Sequence, residues 1–223
     1  MLEHILQPFL STQLTKKFQQ GNILVYQGEI PRSTYMIKTG IVKLYNITSQ
    51  GDERIVSFKS VGEIFPTSWT FSRAMSAFYY YEAQTDGEMY VIAREAFNDY
   101  INSHPDAIKA VASHYLSRYA GSLMRITALE QPKASDKILY TLYYLIQVYG
   151  IRVNNTLVKV SIKLTQQMLA DLIGLTRETT AAELIKLRKQ GILRYKGREY
   201  LINRDKLIHA LGDEDNFKDL KLR

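Results

Sequence analysis

Between Leu164 and Leu193 the chain runs LTQQMLADLIGLTRETTAAELIKLRKQGIL, and one glycine near its centre limits what this stretch can become. Leu169, Leu172 and Ile173 recur at helical spacing, so the first part predicts a short helix with one apolar face. Ala170 is small enough to let a second helix approach closely. Gly174 follows where the chain must turn and a positive φ is needed, a conformation that costs glycine little. Thr176 then suits an N-cap, with Thr179 three residues on in place of the Glu of a full capping box. The second helix buries Leu184 and Leu187 and leaves Arg177, Glu178 and Thr179 exposed at its start. In a helix-turn-helix those N-terminal positions meet the major groove of DNA. Helical hairpins with a glycine corner also occur in ordinary cores, so the assignment needs a second, electrostatic signal.

The charge map supplies it. The net charge is +7, yet residues 1–131 are neutral, with 12 Lys+Arg against 12 Asp+Glu. Residues 132–204 hold 13 Lys+Arg against 5 Asp+Glu, and residues 205–223 hold 4 against 5. The excess positive charge therefore sits in the segment with the helical hairpin, where it favours a polyanion by counterion release. A surface made basic only for solubility would scatter its charges instead.

Length and composition bound the rest. The 223 residues, 46% of them hydrophobic, suit one large or two ordinary domains with their own cores. Cysteine is absent, which removes disulfides, thiolate zinc sites and cysteine-ligated iron–sulfur clusters. The start, MLEHILQPFL, carries an acidic residue where a secretory signal needs basic ones, and no apolar run approaches the ~18 residues of a membrane span. No membrane partner and a cytoplasmic location are expected.

From about Gly21 to Ile92 short alternating runs (NILVYQGE, STYMIKTGIVKLYNI, ERIVSFKSVGEIF, EMYVIA) read as strands, with turns at Gly28, Gly40, Gly51 and Gly62. Pro31 and Pro66 fall at run edges, where proline disturbs pairing least. Pro105 opens a long helix in which Ile108, Ala112, Tyr115, Tyr119, Ser122, Ile126 and Leu129 follow the alternating steps of a heptad seam, expected to join two copies. Pro132 ends that helix or begins the next element, DKILYTLYYLIQVYG is a largely apolar helix, and GILRYKGREYLI reads as two strands turning at Lys196-Gly197, a wing. The expected organisation is an effector-sensing β-roll over 1–104, a dimerisation helix over 105–131, a winged helix-turn-helix over 132–211 and a polar tail over 212–223. The fold class is α+β: an N-terminal antiparallel, jelly-roll-like β-roll, a long helix and a C-terminal winged helix-turn-helix.

In that order these parts resemble the Crp/Fnr family of bacterial transcription regulators. The resemblance is carried by LTQQMLADLIGLTRETTAAELIKLRKQGIL and by the spacing of Gly40, Gly51 and Gly62-Glu63. It implies a homodimer that binds double-stranded DNA at a palindromic operator, with RNA polymerase as a further partner and something sensed in the roll. Family members often have Arg-Glu-x-x-x-Arg in the second helix; here Arg177-Glu178 is followed by Ala182 at the later position, and Glu183 stands where an apolar residue is usual. By geometry Arg177 suits the O6/N7 edge of guanine and Glu178 the N4 amino group of cytosine. The alternative for Arg177 is a surface salt bridge to Glu178 or Asp171. Thr165, Gln166, Gln167 and Lys196 match the family's phosphate-contacting positions, and Thr176 and Thr179 suit a backbone anchor as well.

In cyclic-nucleotide-binding relatives a Gly-Glu segment and a later Arg-Ser pair hold the ribose and the cyclic phosphate. Gly62-Glu63-Ile64-Phe65 matches the first, but Pro66 replaces the usual glycine and Ala77-Phe78 fall where Arg-Ser would be. A buried cyclic phosphate without a cationic partner is strongly disfavoured, so cyclic AMP is not the expected ligand. Arg73 is the nearest basic residue. Aromatic residues fill the region instead: Phe65, Trp69, Phe71, Phe78, Tyr79, Tyr80 and Tyr81. They make either ordinary core packing or an apolar effector pocket, for which Gly62, Glu63, Phe65, Trp69, Phe78 and Tyr80 are the candidates; a roll that senses nothing is the third alternative. No cofactor is expected. Haem, which some relatives carry, would have to draw on His4, His104, His114 or His209, and the effector stays unknown. An enzyme is disfavoured by the absence of P-loop, G-x-S-x-G, H-E-x-x-H and G-x-G-x-x-G motifs. The remaining alternative is a ligand-binding sensor module whose winged helix docks a protein partner.

Overall fold

A computed structural model describes residues 2–212. They divide into two compact units, one up to His114 and the other from Tyr115 on. The tail beyond Gly212, read as polar and loosely ordered, lies outside the described residues.

In the first unit, helix α1 (Leu2–Leu10) buries Leu2, Leu6 and Leu10, one residue per turn. The strands are β1 (Leu14–Phe18), β2 (Ile23–Val25), β3 (Thr34–Thr39), β4 (Val42–Ile47), β5 (Glu53–Lys59) and β6 (Ile64–Phe65). A single-turn helix α2 (Thr67–Thr70) follows, then β7 (Tyr80–Ala83), β8 (Gly87–Ile92) and helix α3 (Arg94–Ser103). The strands form two antiparallel four-stranded sheets, ordered β1-β8-β3-β6 and β2-β7-β4-β5. Their core gathers Phe18, Val25, Ile37, Val42, Leu44, Phe65, Ala77, Tyr81, Ala83 and Met89. The turns expected at Gly28, Gly40, Gly51 and Gly62 all have positive φ. Gly87 is required for space rather than for a turn. A Cβ there would run into the Thr39 carbonyl oxygen and the Phe18 ring, so the close approach of β8 to the core needs a bare Cα.

Helix α4 (Pro105–Glu130) runs from the first unit into the second. Ile108, Ala112, Tyr119, Ser122 and Ile126 of the expected seam are exposed. Tyr115 and Leu129 are half-buried in their own chain, and the exposed stripe passes through Leu116 and Leu123 instead. From Ala112 the stripe steps by four, three, four and three residues through Leu116, Tyr119, Leu123 and Ile126, whereas a first step of three meets Tyr115.

The second unit is built on α5 (Ala134–Tyr149), which is buried on nearly every side, from Ile138 to Tyr149. A hairpin of β9 (Gly150–Arg152) and β10 (Leu157–Val160) follows, then α6 (Gln166–Ile173), α7 (Arg177–Lys189), β11 (Leu193–Lys196), β12 (Glu199–Asn203) and α8 (Arg204–Leu211). The sheet order is β11-β12-β10-β9, all antiparallel. Helices α6, α7 and α8 all touch α5, so the hairpin expected from the sequence is seated on a four-stranded sheet and a central helix.

The tight packing at Gly87 gives a direct test of the roll. Gly87→Ala is expected to cost about 1–3 kcal/mol through overpacking against Thr39 and Phe18, seen as a lower calorimetric unfolding midpoint.

Candidate nucleic-acid interface

The corner between α6 and α7 is held by short side chains and one glycine. The Thr165 hydroxyl caps α6, accepting from the Met168 amide at 3.0 Å. The helix buries Leu169, Ala170, Leu172 and Ile173 and ends at Gly174 in the left-handed region, φ 75° and ψ 33°. There the amides of Gly174 and Leu175 both donate to the Ala170 carbonyl, at 2.8 and 3.1 Å, which closes the helix end. Thr176 starts α7 two residues later, its hydroxyl accepting from the Thr179 amide at 3.2 Å and donating to the Thr179 hydroxyl at 2.9 Å. Thr180, fully buried, donates its hydroxyl to the Thr176 carbonyl at 2.9 Å.

This capping exposes Arg177 and Glu178 in the first turn of α7. Among the described residues Arg177 has no ion pair with Glu178 or Asp171; Asp171 accepts from the Gln167 side-chain amide at 2.8 Å. The remaining backbone candidates differ in what they have left to give. Thr176 uses its hydroxyl both as acceptor and as donor within the cap, so Thr179, whose hydroxyl proton is uncommitted in that pair, is the better donor outward. Gln166 is half-buried and Gln167 is exposed beside Asp171. Lys196 lies exposed at the end of β11, where Gly197 at φ 60° turns the wing. Two further exposed cations, Arg194 and Arg198, alternate with it along the wing. Arg194 shares a face of β11 with Lys196 by period-two spacing, the signal by which the sequence could have shown it, whereas Arg198 lies in the turn before β12.

The wing is fastened to the end of α7. The Arg188 guanidinium lies 5.5 Å from the centre of the Tyr195 ring, and Tyr195 stacks on Tyr200 with centroids 5.6 Å apart. The Tyr200 hydroxyl is buried with no hydrogen-bond partner among the described residues, and this desolvation, followed by the nearby Tyr195, pushes its pKa up to about 12. On the opposite side of the corner, Arg125 of α4 donates to the Leu172 carbonyl at 3.0 Å. Arg118, two turns earlier, lies 5.8 Å from the Tyr149 ring, whose hydroxyl meets that of Tyr144 at 3.3 Å. Nothing in the sequence distinguishes Arg125 from an ordinary surface cation, because its partner is a backbone carbonyl 47 residues away.

The six candidates for an effector pocket do not converge. Phe65 is in the roll core, stacked on Tyr81 at 5.3 Å. Tyr80, the neighbour of Tyr81 on β7, points to the other side of the sheet and stacks on Tyr45 at 5.2 Å. Trp69 is buried under the Arg94 guanidinium, 4.8 Å from its ring, and Phe78 is exposed. Gly62 makes the turn before β6, and the carboxylate of the buried Glu63 accepts from the Ser60 amide at 2.8 Å and faces Lys59 at 3.5 Å. The outward side of β4 holds an ion cluster instead, with Lys43 between Glu53 at 2.8 Å and Glu82 at 3.3 Å and its ammonium over the Tyr45 ring.

Residues 15–104 match the cyclic nucleotide-binding domain family, and residues 137–210 match the Crp-like helix-turn-helix domain family. The chain belongs to the Crp/Fnr family of transcription regulators. It is 26% identical over 202 residues to the fumarate and nitrate reduction regulatory protein of Escherichia coli (strain K12), covering 90% of this chain and 80% of that one. It is 24% identical over 189 residues to a probable transcriptional activator of Rhizobium leguminosarum bv. viciae, covering 85% and 77%. Among solved structures, FixK2 from Bradyrhizobium japonicum superposes with a TM-score of 0.74 at 19% identity, over 90% of this chain and 97% of that one. The c-di-GMP-responsive regulator CLP of Xanthomonas campestris gives 0.70 at 18% identity, over 90% and 98%. These two likenesses are of fold. The Crp/Fnr chain is thus a DNA-binding regulator, and among its described residues no helix is long and apolar enough to cross a membrane.

The orphaned Tyr200 hydroxyl makes a prediction with a defined sign. Its folded pKa of about 12 lies above the unfolded value near 10, so its contribution is fully present below pH 10 and is lost as pH rises toward 12. Tyr200→Phe is expected to flatten the fall in stability between those values and to raise stability at neutral pH by about 1 kcal/mol, because no buried donor is left unpaired. Urea unfolding at several pH values measures both, and a destabilised Phe variant would show that the hydroxyl has a partner.

Proposed function

We propose that this Crp/Fnr chain acts as a homodimer that reads a palindromic operator with α7, one copy per half-site. The observation that carries the proposal is the capped start of α7, which leaves Arg177 and Glu178 exposed within the segment that holds the chain's excess positive charge. Arg177 would donate both arms of its guanidinium to guanine O6 and N7, and Glu178 would accept from cytosine N4. Lys196, Thr165, Gln166, Gln167 and Thr179, with Arg194 and Arg198 added from the structure, would hold phosphates and set the register. Helix α4 supports the dimer: its exposed stripe of Ile108, Ala112, Leu116, Tyr119, Leu123 and Ile126 is the face one copy would lay on another. RNA polymerase would respond to the bound dimer in the cytoplasm.

Cyclic AMP is not the proposed control. Glu63 already spends its carboxylate on Ser60 and Lys59, and Ala77, where an arginine would have to meet a cyclic phosphate, is buried among apolar neighbours. Adding cyclic AMP should therefore leave operator affinity unchanged.

Fluorescence anisotropy on labelled duplexes across a salt series tests the reading. Arg177→Ala is expected to cost about 1–3 kcal/mol on the specific site and to equalise the bases at one G·C position. Lys196→Ala should weaken every sequence alike and reduce the slope of log K against log salt by about 0.9 for each phosphate it no longer neutralises. Salt-independent binding, or an Arg177→Ala variant with unchanged base preference, contradicts the assignment. For the dimer, Leu123→Asp is expected to give a monomer in sedimentation velocity, and a variant that stays dimeric would place the interface elsewhere.

A further inference from the structure

Helix α7 buries Thr180, Leu184 and Leu187. The row two residues away, Glu178, Ala182, Ile185 and Lys189, lies about 200° round the axis and so faces directly outward. All four are polar, small or exposed, and Ile185 is an uncovered branched aliphatic side chain, 41% exposed, on a helix whose last turn is cationic with Lys186, Arg188 and Lys189. Glu183 lies about 100° round the axis from Ala182, off this row, and pairs with Lys186 at 2.6 Å, so no charged side chain stands between Ala182 and Ile185. An apolar pair flanked by cations fits a polyanion that presents apolar groups at one place, and in the major groove that group is the C5 methyl of thymine.

We infer that Ala182 and Ile185 are specificity-determining residues that read thymine methyl groups, about one and two turns of α7 beyond Glu178, which with Arg177 is assigned the G·C pair. The inference rests on the reading of α7 as the groove helix and adds to it a second, apolar half of the half-site code. It predicts an A·T pair next to the G·C pair, with the thymine methyl turned toward α7. It also places Ile185 outside the phosphate contacts, so its removal should leave the salt dependence untouched.

The experiment uses the full-length protein and a duplex selected from random sequence. Each thymine of the half-site is replaced singly by deoxyuridine, which lacks only the C5 methyl. Wild type is expected to lose about fourfold in affinity at one or two positions, the equivalent of about 0.8 kcal/mol for each methyl left in water. Ile185→Ala should bind thymine and uracil equally at one of those positions, with an unchanged salt slope and an unchanged Arg177-dependent G·C preference. Because Ile185 is exposed, the variant is expected to fold, and the wild-type comparison needs no variant. Equal wild-type binding to every uracil duplex, or full thymine preference retained in Ile185→Ala, overturns the inference while leaving the Arg177 reading intact. Failure to select any sequence would overturn both.

Discussion

The geometry of the DNA-facing surface depends on one backbone constraint, the left-handed conformation of Gly174. Placed there, the residue lets Ala170 accept two amides and closes α6 within a single step, so that Thr176 is already in position to cap α7. A side chain at this position would meet no neighbour, so the constraint is purely conformational, and an L residue in that region costs roughly 1–2 kcal/mol. Everything the recognition helix presents, Arg177 and Glu178 at its start and Ile185 along its outward row, takes its direction from that turn. Thr180 and Arg125 fix the same corner from two sides, one by a bond to the Thr176 carbonyl and the other by a bond to the Leu172 carbonyl.

The two units divide the physical labour differently. The roll, residues 1–104, holds 9 Lys+Arg against 10 Asp+Glu and so no excess positive charge, and its aromatic residues are largely consumed internally: Phe65 stacks on Tyr81 and meets Tyr35 at a tilt, and Lys43 is neutralised by Glu53 and Glu82. Burial pushes the Tyr45 hydroxyl well above its ordinary range beside Glu82, a setting that stabilises the protonated phenol. The winged unit keeps its aromatics as fasteners, Tyr195 and Tyr200 under Arg188 and Tyr144 with Tyr149 near Arg118, and leaves its cations outward. Excess charge is therefore concentrated in the unit that holds the helix-turn-helix.

Where local chemistry alone sets the structure, the sequence is legible. Gly174 with Thr176 three residues before Thr179, the glycine turns of the roll and the apolar run of α5 each specify their conformation within a few residues. The parts that are not legible depend on distant partners or on short elements. The hairpin of β9 and β10 turns on Asn154, whose side chain accepts from the amides of Thr156 and Leu157, and its only sequence signal is Asn154-Asn155 between the short alternating runs at Ile151 and Val158. Helices α3 and α8 bury only two residues each, Phe97 and Ile101 and then Leu207 and Ile208, too little of an apolar face to stand out in the sequence. On α4 the exposed stripe passes through Leu116 rather than Tyr115, and the sequence does not tell them apart, because a three-step and a four-step from Ala112 both meet an apolar residue and only burial separates them. The outward position of Ile185 is equally hidden, since an isoleucine in a helix reads as core until its neighbours are placed.

The most direct test of the central claim is the selection of bound sequences from a random duplex library with the purified full-length protein. Enrichment is expected of two inverted half-sites whose centres lie about 10 base pairs apart, one turn of the duplex, each with a G·C pair beside an A·T pair. Enrichment of a single unpaired site, of direct repeats, or of no sequence at all would contradict it.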